Sequence, residues 1–431
     1  MSPAPVYPDW FNSSVKAIYD PAKQGMTNYD VIESYAEDFS KFPWNNKKEK
    51  YTGTLTPNTL TITNVAVTSA LIYTNSKPEN FKVYITGIKD NQQVIFGDDT
   101  STYRALIVEK DGVYDVNWED NHHSYCIWCN FLGDCNITIT QLPTSILKDL
   151  SGNGNHAYLY GGKGKLNSGM GVYQIDFTSY SKTSVVADVS HNTVKVVPAA
   201  NGYLFVRYAT TEIPAYTVNV QNLGNNVLTY QYATENGRRE ITLTEGINEI
   251  PESIKAERSY QVGFHVSAGT GEITITQIPD YPNQLCYDGK MYAVCYDFPI
   301  LTDYTVMAER TWFDKTGVKY FLSKYKENES VPAQLFKFEW IVNGKEYSTS
   351  LGRDVEVVFP NGITWQTKTS YNGKGLPNST YEDGDLLLIG KVWLNSTNYF
   401  IGCHGAIIIA DRSFTEEEIN WIKENIYNIK I

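Results

Sequence analysis

Apolar and polar residues alternate with a period of two along most of this chain. Runs such as Lys82-Val83-Tyr84-Ile85 and Thr217-Val218-Asn219-Val220 carry an apolar side chain at every second position, which aims those side chains at one face of a pleated strand. Breaks rich in Gly, Asn and Pro separate the runs at roughly 8 to 12 residues, the spacing of an antiparallel sandwich or jelly roll. The pattern changes only near the end, in "DRSFTEEEINWIKENIYNIKI". There Ile419, Ile422 and Ile426 recur at helical spacing, Thr415 and Glu418 form a Thr-x-x-Glu capping box, and acidic residues fill the first turn. A helix docked on a sheet by its isoleucines is the expectation for this segment.

The strand pattern also repeats. "NITITQLPT" and "EITITQIPD" put Ile137 and Ile273 in register, 136 residues apart. Upstream, "FKVYITGI" from Phe81 faces "YTVNVQNL" from Tyr216, "DGVYDV" from Asp111 faces "EGINEI" from Glu245, and "NTLTI" from Asn58 faces "NTVKV" from Asn192. Offsets this constant mean two copies of one module, over residues 50–143 and 187–279. The remnants, 1–49, 144–186 and 280–431, are each too small to close a core before residue 280. Together they total about 240 residues, enough for one sandwich. The expected architecture is therefore a discontinuous scaffold with a module inserted at each of two loops.

Composition supports a predominantly β chain. There are 32 Tyr, 17 Phe and 9 Trp, the residues of half-buried pleated surfaces. The formal net charge of -12 comes without a basic face, so the chain repels phosphate backbones and anionic membrane surfaces. Nucleic acid is not an expected partner. Neither a signal peptide nor a run of about 18 apolar residues is visible, so neither classical export nor membrane insertion is expected. Six cysteines, Cys126, Cys129, Cys135, Cys286, Cys295 and Cys403, are too few for a disulfide scaffold and indicate mostly free thiols. A Cys286 and Cys295 pairing across a hairpin is the one disulfide their placement suggests.

The scaffold pieces "KAIYDP", "DLSGNGNHAYLYG", "YTVMAERTW", "FLSKY" and "YFIGCHGAIIIADRSFTEEEINWI" resemble the concanavalin A-like lectin and glucanase superfamily, in particular its laminin G-like and pentraxin-like jelly rolls. The closing run from Gly405 through Arg412 and Thr415 to Glu418 and Ile419 carries the closest likeness. "YDPAKQG", "DLSGNGN" and "GMGVYQIDF" also resemble structural and adhesion proteins of tailed phages of gut bacteria. The resemblance implies an all-β fold: a discontinuous concanavalin A-like (laminin G-like) sandwich with two inserted, mutually homologous jelly-roll modules and a C-terminal helix.

Several candidate sites follow. The loop "DLSGNGNH" offers Asp149, Asn153 and Asn155 as oxygen donors of the kind a calcium ion takes. It equally suits an Asn/Gly turn that bonds to itself, or a glycan contact. Asp20 and Asp176 are the carboxylates to seek if a metal binds; no other cofactor is expected. "HHSYCIWCNFLGDC" gathers His122, His123, Cys126, Cys129 and Cys135, a zinc-like set, yet the second copy has Gln261 and Phe264 opposite Cys126 and Cys129, which favours ordinary strand positions. Trp312, Trp340, Trp365 and Trp393 are aromatic candidates for stacking on sugar rings. A retaining glucanase needs three acids alternating along one strand, with two carboxyls ~5 Å apart. Glu339 with Glu346, and Asp354 with Glu356, lack that pattern, and no nucleophile elbow, zincin or phosphate loop is present.

The resulting expectation is a non-enzymatic virion protein, a capsid decoration, fibre or adhesion subunit assembled in the host bacterial cytoplasm. Its partners would be other virion proteins and host-surface or mucin glycans, and it could self-associate. A bacterial surface or secreted glycan-binding protein is the alternative, and a glycan-cleaving enzyme the third.

Overall fold

The computed structural model describes residues 7–26, 30–41, 44–100, 102–162, 175–183, 186–190, 192–197, 202–207, 212–255, 261–301, 304–325, 335–348, 355–356, 362–368 and 386–428. The protein is all-β, and among the described residues its strands form six sheets.

Two of those sheets are built from segments far apart in the chain. In the smaller, Ile401–Ala410 is central, with Tyr304–Trp312 on one side. Along its other side lie both Val15–Tyr19, against its C-terminal half, and Leu285–Asp288, against its N-terminal half. The larger sheet has eight strands, running from Ile146–Leu147 and Ala157–Tyr160 through Tyr292–Cys295, Leu386–Ile389, Val318–Tyr325, Leu335–Val342 and Lys345–Ser348 to Val355–Glu356. Alternation buries Ala17, Tyr19, Leu159, Tyr287, Phe321, Leu387, Ile407 and Ile409 in one core between them. The opposite face of the smaller sheet presents Ile18, Met307 and Ile408 to Ile419 and Ile422 of helix Glu416–Asn425 and to Ile426, its C-cap. The capping box of that helix is present as expected. Val15–Tyr19 is followed by a one-turn helix, Pro21–Gln24, capped by Asp20 and ended by Gly25 at φ 71.

The other four sheets form two units with the same strand order. In the first, Asn45–Asn46, Ala70–Thr74, Tyr125–Cys129, Val94–Gly97 and Arg104–Val108 make one sheet. Tyr51–Leu55, Thr59–Val65, Gly133–Gln141, Phe81–Thr86 and Gly112–Val116 make the other. In the second unit each strand has a counterpart in the same place, from Ser181–Thr183 for Asn45–Asn46 to Ile273–Ile278 for Gly133–Gln141. Each unit closes its own core.

Both units begin earlier than the repeat alone suggests. Phe39 and Trp44 belong to the first core and Asn45–Asn46 pairs with Ala70–Thr74, ahead of residue 50. Phe177 and Tyr180 belong to the second core and Ser181–Thr183 pairs with Gly202–Arg207, ahead of residue 187. Strands of two or three residues are too short for alternation to register. Entry and exit of each unit meet: the Thr144 amide donates to the Ser34 carbonyl at 2.8 Å, and the Ile175 amide to the Gln277 side chain at 3.1 Å.

Candidate functional site

The Asp149 loop is a clasp on the first strand. The Asp149 Oδ1 accepts from the amides of Ile18 (3.0 Å) and Ser151 (2.9 Å), and Oδ2 from the Ser151 hydroxyl (2.9 Å) and the Asn155 amide (3.1 Å). Asn153 Nδ2 donates to the Val15 carbonyl and Asn155 Nδ2 to the Lys16 carbonyl, while the Tyr19 hydroxyl donates to the Asn155 carbonyl. A hard cation wants oxygens around it, and this carboxylate is instead ringed by four hydrogen donors. The arrangement fits a self-bonded turn and does not fit calcium. Asp20 is used as a helix cap, and Asp176 caps a short turn at the start of the second unit. Among the described residues no three His, Cys, Asp or Glu side chains converge as metal ligands.

The Cys and His group disperses for a geometric reason. Tyr125–Cys129 is a strand, so residues three apart face opposite sides. Cys129 enters the first core and Cys126 does not. Burial pushes the Cys126 thiol up to about 12 and raises that of Cys129 further. His122 stacks on Tyr103 at 3.7 Å, and His123 lies on the surface beside Asp99.

Cys286 and Cys295 are not partners. Cys286 sits on the smaller scaffold sheet directly opposite Cys403, whereas Cys295 lies on the larger sheet, inside the core. All six cysteines are free.

Trp312 and Trp340 are buried core residues and offer no face to a ligand. Glu339, only 1% exposed, accepts from Arg310 Nε at 2.6 Å and from Trp312 Nε1 at 2.9 Å, an ion pair joining the two scaffold sheets. Asp354 lies outside the described residues, as do the side chains of Glu346, Glu356 and Trp365.

The remaining candidate, Trp393, belongs to an aromatic surface on the outer side of the eight-stranded sheet. Tyr160 stacks on Tyr292 with centroids 5.2 Å apart. Lys391 Nζ sits 4.2 Å from the Tyr292 ring and 4.7 Å from that of Tyr399, and donates to the Leu394 carbonyl at 2.6 Å. Burial lowers the Lys391 amine to about 8, so at neutral pH it remains a cation held by two π faces. The Tyr296 hydroxyl is 2.8 Å from that of Tyr160, and its ring lies 4.4 Å from Tyr84 of the first unit. Tyr158 and Tyr160 are covered, whereas Tyr292, Trp393 and Tyr399 remain half-buried. Half-buried rings around a fixed cation suit a flat, weakly polar ligand. These tyrosines are scattered over 240 positions, so only their abundance hinted at them.

No protein family matches the chain, and no curated protein matches it. Among solved structures it is similar to a Trypanosoma rangeli sialidase in complex with sialic acid, at 9% identity and a TM-score of 0.24, over 88% of this chain and 84% of that one. The expectation that the chain is not an enzyme is thereby corrected: the solved structure it is similar to is an enzyme, and that expectation rested on absent sequence motifs alone. At such a TM-score no fold or activity passes from that enzyme to this chain.

Proposed function

We propose that this chain is a structural and adhesive subunit of a tailed-phage particle that binds host-surface or mucin glycans and neighbouring virion proteins. In this reading the scaffold is a laminin G-like, concanavalin A-like sandwich, and the two inserted units extend the surface it presents. The particle setting rests on the resemblance of "YDPAKQG" and "DLSGNGN". The glycan reading rests on the half-buried rings of Trp393 and Tyr399 on this aromatic surface, where Lys391 lies over Tyr399, since sugar rings stack on aromatic faces.

The test is calorimetric titration of the purified chain with mucin glycans and surface polysaccharides of gut bacteria. Binding that weakens about tenfold in Trp393→Ala or Tyr399→Ala, the loss of ~1.4 kcal/mol expected for one stacking contact, supports the reading. Absence of binding to any glycan of the panel sinks it. Immunogold labelling of phage particles with an antibody to the chain tests the setting separately.

A further inference from the structure

The two inserted units diverge at the end of one sheet. At the end of one sheet of the first unit is an open cleft of about 680 Å3, lined by Asp90, Asn91, Gln92, Gln93, Glu109 and Asn130. Three of these residues are locked together. Gln93 Nε2 donates to Glu109 Oε1 at 2.6 Å, Asn130 Nδ2 donates to Gln93 Oε1 at 2.8 Å, and the Asn130 amide donates to the Gln93 carbonyl at 3.0 Å. Gln92 Oε1 accepts from the Lys89 amide, and Asn91 holds a left-handed conformation at φ 67. The cleft wall is thus preorganised rather than a set of free surface side chains.

The fold does not require this trio. Gln93 immediately precedes Val94–Gly97, Glu109 immediately follows Arg104–Val108, and Asn130 immediately follows Tyr125–Cys129. By ladder register Val94, Val108 and Cys129 correspond to Thr229, Thr242 and His265, so the counterparts of Gln93, Asn130 and Glu109 are Leu228, Val266 and Leu243. There all three are part of the second core, with Leu243 in the place of Glu109. In both copies an acid two positions further on, Asp111 or Glu245, holds the preceding loop by its amides. The shared part of the design serves the turn; the trio is extra.

We propose that this cleft binds one pyranose ring of a neutral glycan, through the planar amide and carboxylate groups of Gln93, Glu109 and Asn130. The two amides supply donor and acceptor atoms and the Glu109 carboxylate acceptors only, a set that matches vicinal hydroxyls, each of which gives and takes a hydrogen bond. None of the six lining residues is cationic and two are acidic, so anionic sugars are repelled. Two exposed apolar residues lie nearby in the chain: Leu132, 65% exposed, two residues past Asn130, and Ile107, 47% exposed, two residues before Glu109. The cleft is open, so the neighbours of a bound ring run out into solvent. The inference rests on the glycan-binding reading and adds a second, independent point of attachment, which raises avidity for a repeating polysaccharide.

The experiment removes the trio, as the triple substitution Gln93→Ala, Glu109→Ala, Asn130→Ala, with Asn130→Ala alone as a milder variant. The full chain is titrated with galactose, glucose, mannose and N-acetylglucosamine by saturation-transfer NMR, and with calcium chloride as a control; melting temperature reports folding. The expected result is a signal from at least one neutral sugar that disappears in the triple variant and weakens at least fivefold in Asn130→Ala. Sugar binding that is unchanged in both cleft variants overturns the cleft while leaving the glycan reading intact. Binding of calcium that is lost in the triple variant, with no sugar signal, makes the cleft a cation site and overturns the proposal. No sugar binding in any form of the chain removes both readings together.

Discussion

Asp149 and His404 show how single polar residues are accommodated inside this all-β protein. Four donors surround the Asp149 carboxylate, and bonds to a charged acceptor are worth about 1.5 to 3 kcal/mol each when a partner is lost. Asp149→Ala is therefore expected to lower the melting temperature by several degrees, while a chelator leaves the wild-type melting curve unmoved; a chelator-induced drop would return the loop to calcium. His404 is fully buried, and since its Nδ1 faces the Gly405 carbonyl at 2.7 Å, that nitrogen carries the proton and Nε2 accepts from the Tyr287 hydroxyl at 3.0 Å. Burial lowers this imidazole to about 4. Between the unfolded value near 6.5 and 4, the unfolded chain takes up a proton that the folded chain refuses, so stability falls as pH drops through that window. Urea midpoints at pH 7, 5.5 and 4.5 should decline by an amount worth about 2 to 3 kcal/mol by pH 4, with a shallower decline in His404→Gln. Neither role was legible in the sequence. The loop advertised oxygens, and only the fold revealed that donors from Ile18 and Asn155 reach them; His404 sat in "GCHGAIIIA" as one more strand residue.

At the scale of elements, legibility followed length. The helix could be read because three isoleucines and a capping box lie within a dozen residues, and the same atoms make it testable: Thr415→Ala should cost ~1 kcal/mol, measured as a shift in denaturant midpoint. Long alternating strands such as Phe81–Thr86 could be read for the same reason. Asn45–Asn46 and Ser181–Thr183 could not, because pairs and triplets carry no period. Register was equally hidden, and it decides the cysteine chemistry. A hairpin reading joined Cys286 to Cys295, whereas pairing with Ile401–Ala410 sets Cys286 against Cys403, whose Sγ is 2.8 Å from Gln284 Oε1. Directly opposed residues of antiparallel strands have Cα atoms ~4.5 to 5.5 Å apart, within disulfide reach. Treatment of the unfolding-competent chain with excess oxidised glutathione, which accepts the two thiol electrons and leaves as two reduced glutathiones, should link Cys286 to Cys403. Peptide mapping that finds Cys286 joined to Cys295 instead would refute the register argument.

The repeat made the large-scale plan readable before any strand was placed, but it gave no hint that the two copies are held differently. Tyr84 of the first unit lies against Tyr296, and Val113 packs beside Tyr158 and Tyr160 on the outer face of the scaffold's larger sheet. In the second unit the paired positions corresponding to Tyr84 and Val113 are Asn219 and Ile247. Ile247 is a large exposed apolar residue, and the second core is made only of residues 175–275. Among the described residues, one copy is thus fastened through an apolar interface, while its twin leaves the matching surface position Ile247 exposed. Where the second unit joins, its ends meet through Ile175 and Gln277, so the chain can be closed across the gap with a short linker. A variant lacking 175–278 should keep the melting transitions of the scaffold and first unit within ~2 °C of their wild-type values, because no shared core is opened. Removing 39–142 instead uncovers Tyr158, Tyr160 and Tyr296. Losing even a few kcal/mol of apolar burial there should lower the scaffold transition by roughly 5 to 10 °C. Differential scanning calorimetry of the two deletions against the full chain decides the point, and equal shifts in both would mean that the two units are coupled to the scaffold alike.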